Sequence, residues 1–351
     1  MSQPQTRLEK HKKKKSPLRR FFKYVLVVVF IGVLGGAGYA GFLGWKVKST
    51  AEKTYQGLSR DKSSLREEKV TLGENPVTIL LLGVEDYPGS PGHSDSIMLL
   101  TINPKTKETA ILSIPRDTRA FLPIVQREDK ITHAYAFGKK GHKEEATIDA
   151  VEHLLDVPID YYITTNFLGF KKAVDDLGGI DVNVPFDFQQ HAMKEIGGGT
   201  LTFKKGEMHL NGKEALTFAQ MRKKDPKGDF GRQERQQQVI KALADKALSI
   251  TSLTKANDLL ETVGDNVKTN ISLREMFAIR NFYKTIQNND FERWTLKKGK
   301  DAMINGIYYY QPNMDEIHEY TRKINKILER NDTQMTDNHP ENQTTTEQAQ
   351  Q

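Results

Sequence analysis

Apolar and polar positions divide the chain into stretches of different period. Residues 24–45 carry no charge, a run long enough for a helix to cross the roughly 30 Å hydrocarbon layer of a bilayer. Residues 46–75 turn polar, with Gly57 and Gly73 as breaks, which predicts a helical or irregular stalk. From Pro76 short apolar runs begin. Val77-Thr-Ile-Leu-Leu-Leu-Gly-Val84 is almost continuously apolar, as a strand buried on both faces requires. Residues 96–102 and 109–115 are two more such runs, and the turn-rich connector 103–108 predicts that they form a hairpin.

Helical spacing takes over at 144–155, where Ile148, Val151, Leu154 and Leu155 share a face before Asp156-Val-Pro158 ends it. A strand at 159–165, a helix at 167–177 closed by Gly178-Gly179, and a strand at 180–184 follow. Three glycines, 197–199, mark a loop. Residues 211–221 read as a helix with Glu214 in its first turn, and 230–250 as a long one. Strands alternating with helices, plus one hairpin, predict an α/β fold with a mixed central β-sheet flanked by helices on both faces. Residues 251–330 read as an α-rich extension, with helices near 273–286 and 315–329 and an apolar stretch around Trp294. The last segment, 331–351, has almost no apolar content and is expected to be disordered. The organisation is thus a tail at 1–23, a span at 24–45, a stalk at 46–75, a domain at 76–250, the extension and a C-terminal tail.

Charge changes the picture once it is located. The chain of 351 residues, 37% apolar, has a formal charge of +7 and a pI near 9.2, which resembles a nucleic-acid binder. Nine of the cations (Arg7, Lys10, Lys12 to Lys15, Arg19, Arg20 and Lys23) precede residue 24 against one acid, Glu9, so the tail alone carries +8 and the rest about −1. A nearly neutral domain argues against nucleic acid as a partner. The Lys/Arg excess before the span places the N-terminus in the cytoplasm and the domain outside, with Tyr24 and Trp45 at the two membrane interfaces. The basic run 12–15 then meets anionic headgroups of the cytoplasmic membrane. A cleaved signal peptide, with small residues at Ala37-Gly-Tyr-Ala40, is the alternative; the apolar run is long for such a peptide and favours a retained anchor. No cysteine is present, so an exported domain must rest on its core, as is ordinary at a Gram-positive surface.

Four polar clusters fall at predicted strand ends, where open α/β sheets place ligands. They are Gly83-Val-Glu-Asp86, His93-Ser-Asp-Ser96 behind the flexible Pro88-Gly-Ser-Pro-Gly92, Ile114-Pro-Arg-Asp-Thr118, and the stretch 222–237. The last packs six cations around a Pro/Gly turn leading into a helix, a geometry that can hold a polyanion in one orientation. If strands 77–84 and 109–115 lie side by side, Glu85 or Asp86, Asp95, Arg116 and Asp117 share one edge of the sheet. Two carboxylates with arginines in one crevice suit a hard cation such as Mg²⁺ holding a phosphate. The same residue types also suit plain ion pairs at loop ends, Arg116 with Asp117 and Arg222 with Asp225. There is no Walker-type glycine loop, paired metal-binding histidine motif or nucleophile elbow. His133, His142, His153 and His191 are scattered, and the Tyr308-Tyr-Tyr310 run reads as packing.

These blocks, in this order, resemble the LytR-CpsA-Psr (LCP) family of membrane-anchored cell-wall ligases. The resemblance covers about residues 77–241 and runs through Leu80-Leu-Leu-Gly-Val84, Ser94-Asp-Ser-Ile97, Ser113-Ile-Pro-Arg-Asp-Thr118, Ile159-Asp-Tyr-Tyr162, Asn166-Phe-Leu-Gly-Phe170, Val174-Asp-Asp-Leu-Gly-Gly179, Leu210-Asn-Gly-Lys-Glu-Ala-Leu216 and the 222–237 stretch. It implies transfer of a glycopolymer, such as a teichoic acid or capsular polysaccharide, from an undecaprenyl-pyrophosphate carrier to peptidoglycan. The acceptor implied is the C6 hydroxyl of N-acetylmuramic acid, joined by a phosphodiester. It also implies Mg²⁺ at the pyrophosphate, with Mn²⁺ as a substitute, and an isoprenoid pocket lined from 159–170, 173–177 and 230–248.

By position, the resemblance makes Asp95 the main metal carboxylate and Arg116, Arg222 and Arg232 pyrophosphate ligands, with Gln236 one helical turn beyond Arg232 facing the same way. Three positions depart from the family pattern. Glu85 replaces an aspartate, and His93 and Gln220 stand where arginines are usual, which removes fixed positive charge from the substrate-binding side. Asp117 or Asp229, by proximity, is the candidate to take the acceptor proton. A lipid-pyrophosphate-binding protein with weak ligase activity and a lipid pyrophosphatase are the alternative readings. A transcriptional regulator fits least, since the domain is predicted outside the cytoplasm.

Overall fold

The computed structural model describes residues 54–85, 91–249, 266–272, 274–275 and 292–330. The expected membrane span at 24–45, both tails, Asp86 and nearly all of the expected helix at 273–286 lie outside the described residues. By internal contacts the chain divides into Met1–Val47 and Lys48–Gln351, and everything described belongs to the second part. Among the described residues no helix is long and apolar enough to cross a membrane.

The centre is a six-stranded mixed sheet. Its first three strands are β1 (Val77–Glu85), β2 (His93–Ile102) and β3 (Thr109–Ile114). Two hairpin strands follow, β4 (Arg119–Leu122) and β5 (Arg127–Lys130), then the helices α1 (His133–Phe137) and α2 (Lys143–Leu155). Next come β6 (Tyr161–Asn166), α3 (Phe167–Asp176), β7 (Ile180–Val184), β8 (Phe188–His191), β9 (Thr200–Phe203) and β10 (Gly206–Leu210). The helices α4 (Gly212–Gln220) and α5 (Asp229–Ser249) precede β11 (Val267–Thr269), β12 (Glu292–Thr295), β13 (Lys300–Ile304), β14 (Ile307–Gln311) and α6 (Met314–Ile327). The strand order in the main sheet is β11-β6-β1-β2-β3-β12.

The hairpin of β2 and β3 is antiparallel, as expected. It differs from expectation in its placement: β2 lies between β1 and β3, antiparallel to both, so strands 77–84 and 109–115 are not neighbours. This arrangement still brings the end of β1, the start of β2 and the end of β3 to one edge. The predicted edge-sharing of Glu85, Asp95 and Arg116 therefore arises through β2.

Alternation along the strands splits the core. Leu80, Leu82, Ile97, Leu99, Leu112 and Ile114 face α2 and α6, meeting Ile148, Val151, Leu155, Ile317 and Ile324. A buried aliphatic side chain of this kind contributes roughly 1.5–3 kcal/mol. On the opposite face Ser113 Oγ accepts a 2.8 Å hydrogen bond from Gln237 Nε2 of α5, which also donates to the Trp294 carbonyl at 2.8 Å. A second cluster joins Val174, Ile180, Val182, Phe203, Phe218 and Val239 of α3, β7, β9, α4 and α5. The stretch expected to line one isoprenoid pocket is divided between these layers: Ile159 and Tyr162 pack with α2, whereas Val174 and Val239 lie in the second cluster.

Two other expectations change. Residues 251–330 supply four strands among the described residues, and β11 and β12 are the two edges of the central sheet. The segment completes the domain, and α6, near the expected 315–329, matches the helical reading. The second change concerns the stalk. Residues 54–75 are docked on the domain: Arg60 pairs with Glu152 at 2.7 Å, Arg66 with Asp160 at 2.6 Å, and the Leu72 amide donates to Tyr161 Oη at 3.1 Å.

Candidate active site

A β-bulge sets the first carboxylate. Gly83 pairs with Ser96 and Val84 with Ser94, which leaves Asp95 as the extra residue of β2. A bulge re-aims the side chain it releases from the ladder, here toward the sheet edge. Gly83 permits the close pairing, since a Cβ there would lie 3.0 Å from Ser96 Cβ.

Arg116 follows β3 on a short turn in which Thr118 Oγ1 donates to the Pro115 carbonyl at 2.6 Å. Its own carbonyl accepts from Thr132 N at 3.1 Å. Its guanidinium reaches back, with Nη1 donating to Asp95 Oδ1 at 2.6 Å and Nε 3.7 Å from Asp117 Oδ2. Burial works to lower the Arg116 pKa, and Asp95, Asp117 and Asp229 outweigh it, leaving it raised. Burial pushes the Glu85 pKa up, and the Asp95 carboxyl within hydrogen-bonding reach adds to it, with Arg116 opposing.

The opposite wall comes from the turn 222–228 and α5. Arg222 Nε lies 3.7 Å from Asp229 Oδ1 and Arg232 Nη2 lies 2.8 Å from the same oxygen. Gln233 Nε2 donates to Asp229 Oδ2 at 3.1 Å. The approach of Arg232 to Asp229 Oδ1 lacks hydrogen-bond alignment, because that oxygen and Arg232 Nε are both buried without a hydrogen-bond partner. Arg232 is only 8% exposed. Burial lowers its pKa, with Arg116 and Arg222 adding and Asp229 and Asp95 opposing, yet a guanidinium so placed stays charged near neutrality. A buried cation with an unused N–H beside two other arginines is built to receive an anion. Gln236, one turn on, accepts from Ser96 Oγ at 3.2 Å and so ties α5 to the bulge.

Other predicted residues divide. Asp117 joins the site and accepts from Lys130 Nζ at 2.7 Å. The ring of His93 stands 5.5 Å from that of His133, and burial, then His133, lowers its pKa. Gln220 turns toward Met193, donating to Sδ at 3.0 Å. Arg235, among the six cations of the stretch, is structural: it pairs with Asp225 and donates to the Phe218 carbonyl at 3.0 Å. Asp225 thus pairs with Arg235 in place of the expected Arg222.

The donor set fits Mg²⁺. Glu85 and Asp95 offer hard carboxylate oxygens, whose mutual repulsion a divalent cation would relieve. Among the described residues no group of three or more His, Asp or Glu is arranged to hold a metal. Phosphate oxygens and water would therefore complete the shell, the usual habit of this ion.

The sequence matches the LytR_cpsA_psr family over residues 42–326. The chain belongs to that family. Among its relatives, a polyisoprenyl-teichoic acid–peptidoglycan teichoic acid transferase of Bacillus subtilis, TagU, is 40% identical over 92% of this chain and 100% of its own. The crystal structure of B. subtilis TagV is 38% identical and superposes with a TM-score of 0.64, covering 74% of this chain and 99% of that one. A structure described as TagT bound to LIIa-WTA is 29% identical, with a TM-score of 0.65 over 78% of this chain and 99% of its own. This LytR_cpsA_psr chain shares the mixed sheet flanked by helices with them.

Sequence reasoning missed Lys130, read Tyr308 as packing, and gave Ser96 no role of its own within the His93–Ser96 cluster. Lys130 arrives only because the β4–β5 hairpin returns the chain beside Asp117, and no local motif marks it. Tyr308 arrives with the β13–β14 hairpin, whose Tyr310 amide donates to the Asp117 carbonyl at 2.9 Å.

Proposed function

We propose that the chain is a membrane-anchored, extracytoplasmic phosphotransferase that joins an undecaprenyl-pyrophosphate-linked glycopolymer, of the teichoic acid or capsular type, to peptidoglycan. The observation that carries the reading is the meeting of two walls: Arg116, paired with Asp95 beside Glu85, and Arg222 with the buried Arg232, which converge on Asp229 and share the electrostatic field of Arg116 and Asp95. The names of the B. subtilis relatives support the teichoic acid and peptidoglycan parts. The anchor rests on the uncharged run at 24–45 and the basic tail before it, which also orient the domain outward.

In the proposed reaction an acceptor hydroxyl oxygen attacks the phosphorus bearing the polymer. The P–O bond to the lipid phosphate breaks, undecaprenyl phosphate leaves, and the hydroxyl loses one proton. The three arginines hold the non-bridging oxygens and stabilise the charge on the departing phosphate. Asp95 and Glu85 would hold Mg²⁺, or Mn²⁺ in its place, which when bound neutralises pyrophosphate charge. Asp229 is engaged by Arg222, Arg232 and Gln233, so its part is to position the guanidinium groups. Asp117, which accepts from Lys130 Nζ at 2.7 Å and stands 3.7 Å from Arg116 Nε, is the carboxylate assigned to orient the acceptor hydroxyl and receive its proton.

The test is transfer by the full chain, with Mg²⁺, of a lipid-pyrophosphate-linked saccharide to peptidoglycan oligomers. Arg116→Ala and Arg222→Ala should each lower the rate about 10²–10³-fold with thermal stability kept. Wild-type rates in both variants would sink the reading. Phosphate release without acceptor would identify a pyrophosphatase, and tight donor binding without turnover a carrier.

A further inference from the structure

We propose that the tip of the β13–β14 hairpin, centred on Tyr308, is the platform on which the acceptor saccharide rests; this depends on the transfer reaction proposed above. The hairpin is built to be rigid. Asn305 and Gly306 take positive φ of 51° and 78° at its turn, the pairing that favours a tight two-residue hairpin. Met303 lies opposite Tyr308 and Ile304 opposite Ile307. At the base, Tyr310 is tied to the turn that carries Arg116, through its amide and a bridge to Thr118. The platform and the site therefore move as one piece.

Tyr308 is fixed and still open. Its hydroxyl donates to Asp301 Oδ1 at 2.8 Å, and Lys130 Nζ sits 5.8 Å from its ring centre while bonding Asp117. Its pKa is pushed up to about 12 by burial, then Asp301, with Asp117 adding and Arg222 opposing. The ring thus feels both halves of the site, the Arg222 wall and Asp117. It is nonetheless 36% exposed, and Met303, its cross-strand partner on the same face of the hairpin, is 68% exposed.

A flat, partly apolar surface with a rim of Asp301, Asp117 and Lys130 selects its occupant by chemistry. A pyranose ring presents C–H bonds on its faces and hydroxyls around its edge, matching an aromatic platform with a polar rim. A phosphate-bearing polymer or an anionic bilayer would meet two carboxylates at that rim, which disfavours both. A sugar stacked on Tyr308 has its hydroxyl edge toward Asp117, the carboxylate assigned to the acceptor. The platform thus sets which sugar, and which of its hydroxyls, reaches the phosphorus.

The experiment uses the full chain in detergent micelles, comparing wild type, Tyr308→Ala, Tyr308→Phe and Met303→Ser. Binding of a short, unphosphorylated peptidoglycan glycan oligomer is measured without donor, and the KM values for donor and acceptor are measured in transfer. Tyr308→Ala should weaken oligomer binding and raise the acceptor KM about tenfold, with the donor KM within about twofold. Tyr308→Phe, which keeps the ring, should stay within about threefold, and Met303→Ser should show a smaller loss of the same kind. The platform is overturned if wild type binds no oligomer, if Tyr308→Ala binds it like wild type, or if only binding to anionic vesicles is lost. Oligomer binding through Tyr308 without product would retire the transferase and leave the platform standing. Product formed with an acceptor KM indifferent to Tyr308→Ala would do the reverse.

Discussion

Arg116 Nη1 meets Asp95 Oδ1 at 2.6 Å, and Asp95 is the residue that the β1–β2 ladder leaves out. The pair is partly open, with the two side chains 32% and 18% exposed. An ion pair of that exposure contributes at most about 1 kcal/mol to folding. Its value therefore lies in what the two groups do for a ligand. Asp95→Asn should cut transfer about 100-fold or more and move the urea midpoint little. Transfer assays across a Mg²⁺ series, beside urea melts, check this. A large stability loss with activity retained would assign the pair to the fold.

Much of the domain could be read from the sequence because its central elements are local and strongly patterned. The apolar runs of β1 to β3 and the capped helix α4, with Asn211 and Glu214 closing its first turn, announce themselves within a few residues. The grouping of Asp95, Arg116, Arg222 and Arg232 was legible through the ordered motifs. The edge strands were not. Val267-Lys-Thr269 and Glu292-Arg-Trp-Thr295 are too short and polar to show a period; long-range backbone pairing with β6 and β3 makes them strands. The structural duty of Arg235 was also hidden, although the resemblance had already singled out Arg232 as a ligand. They lie three residues apart on α5, and only the packed helix shows one guanidinium facing the site and the other Asp225.

His93 stands two residues before Asp95 where a fixed cation is usual in the resemblance. Burial, then the neighbouring His133, lowers its pKa, Arg116 adds, and Asp95 opposes, which favours the uncharged ring. His93→Arg restores a permanent charge beside the anion site and should tighten binding of a polyprenyl-pyrophosphate donor about three- to tenfold. Salt should weaken the gain, as it does for a partly exposed charge. Donor titrations at two ionic strengths test it; unchanged affinity would mean that position 93 faces away from the pyrophosphate.

Asp129 supports the Lys130 segment. Its Oδ1 accepts from the Lys130 amide at 2.7 Å and lies 2.9 Å from His133 Nδ1, and Arg127 Nη2 is 3.5 Å from Oδ2. Burial works to raise its pKa, but these partners outweigh it and leave it depressed. A depressed carboxylate contributes stability that is present above its ordinary pKa of about 3.9 and is lost as pH falls through the folded value. Asp129→Asn should therefore lower the urea midpoint at pH 7, and the gap from wild type should close as the pH falls below about 4. A gap that stays constant across that range would show that Asp129 acts by shape alone.

Asp225 and Arg235 fix the turn that presents Arg222. Their side chains are 4% and 3% exposed, and Arg235 spends its other N–H groups on the Phe218 and Met221 carbonyls. The turn closes through Gly228 at φ 57°, and Gly231 leaves room for the Asp225 carboxylate, which a Cβ there would strike. Asp225→Ala strands a buried guanidinium and should cost about 3–5 kcal/mol. Transfer should fall with it, because Arg222 then hangs on a loosened turn. A double change of Asp225→Leu with Arg235→Met removes both charges and should recover part of the stability, since a buried pair gains little over apolar packing. Activity should recover less than stability, as the apolar pair no longer fixes the 222–228 backbone by hydrogen bonds. Urea melts and transfer rates of the single and double variants separate the two effects; full recovery of both would mean that the pair contributes packing only.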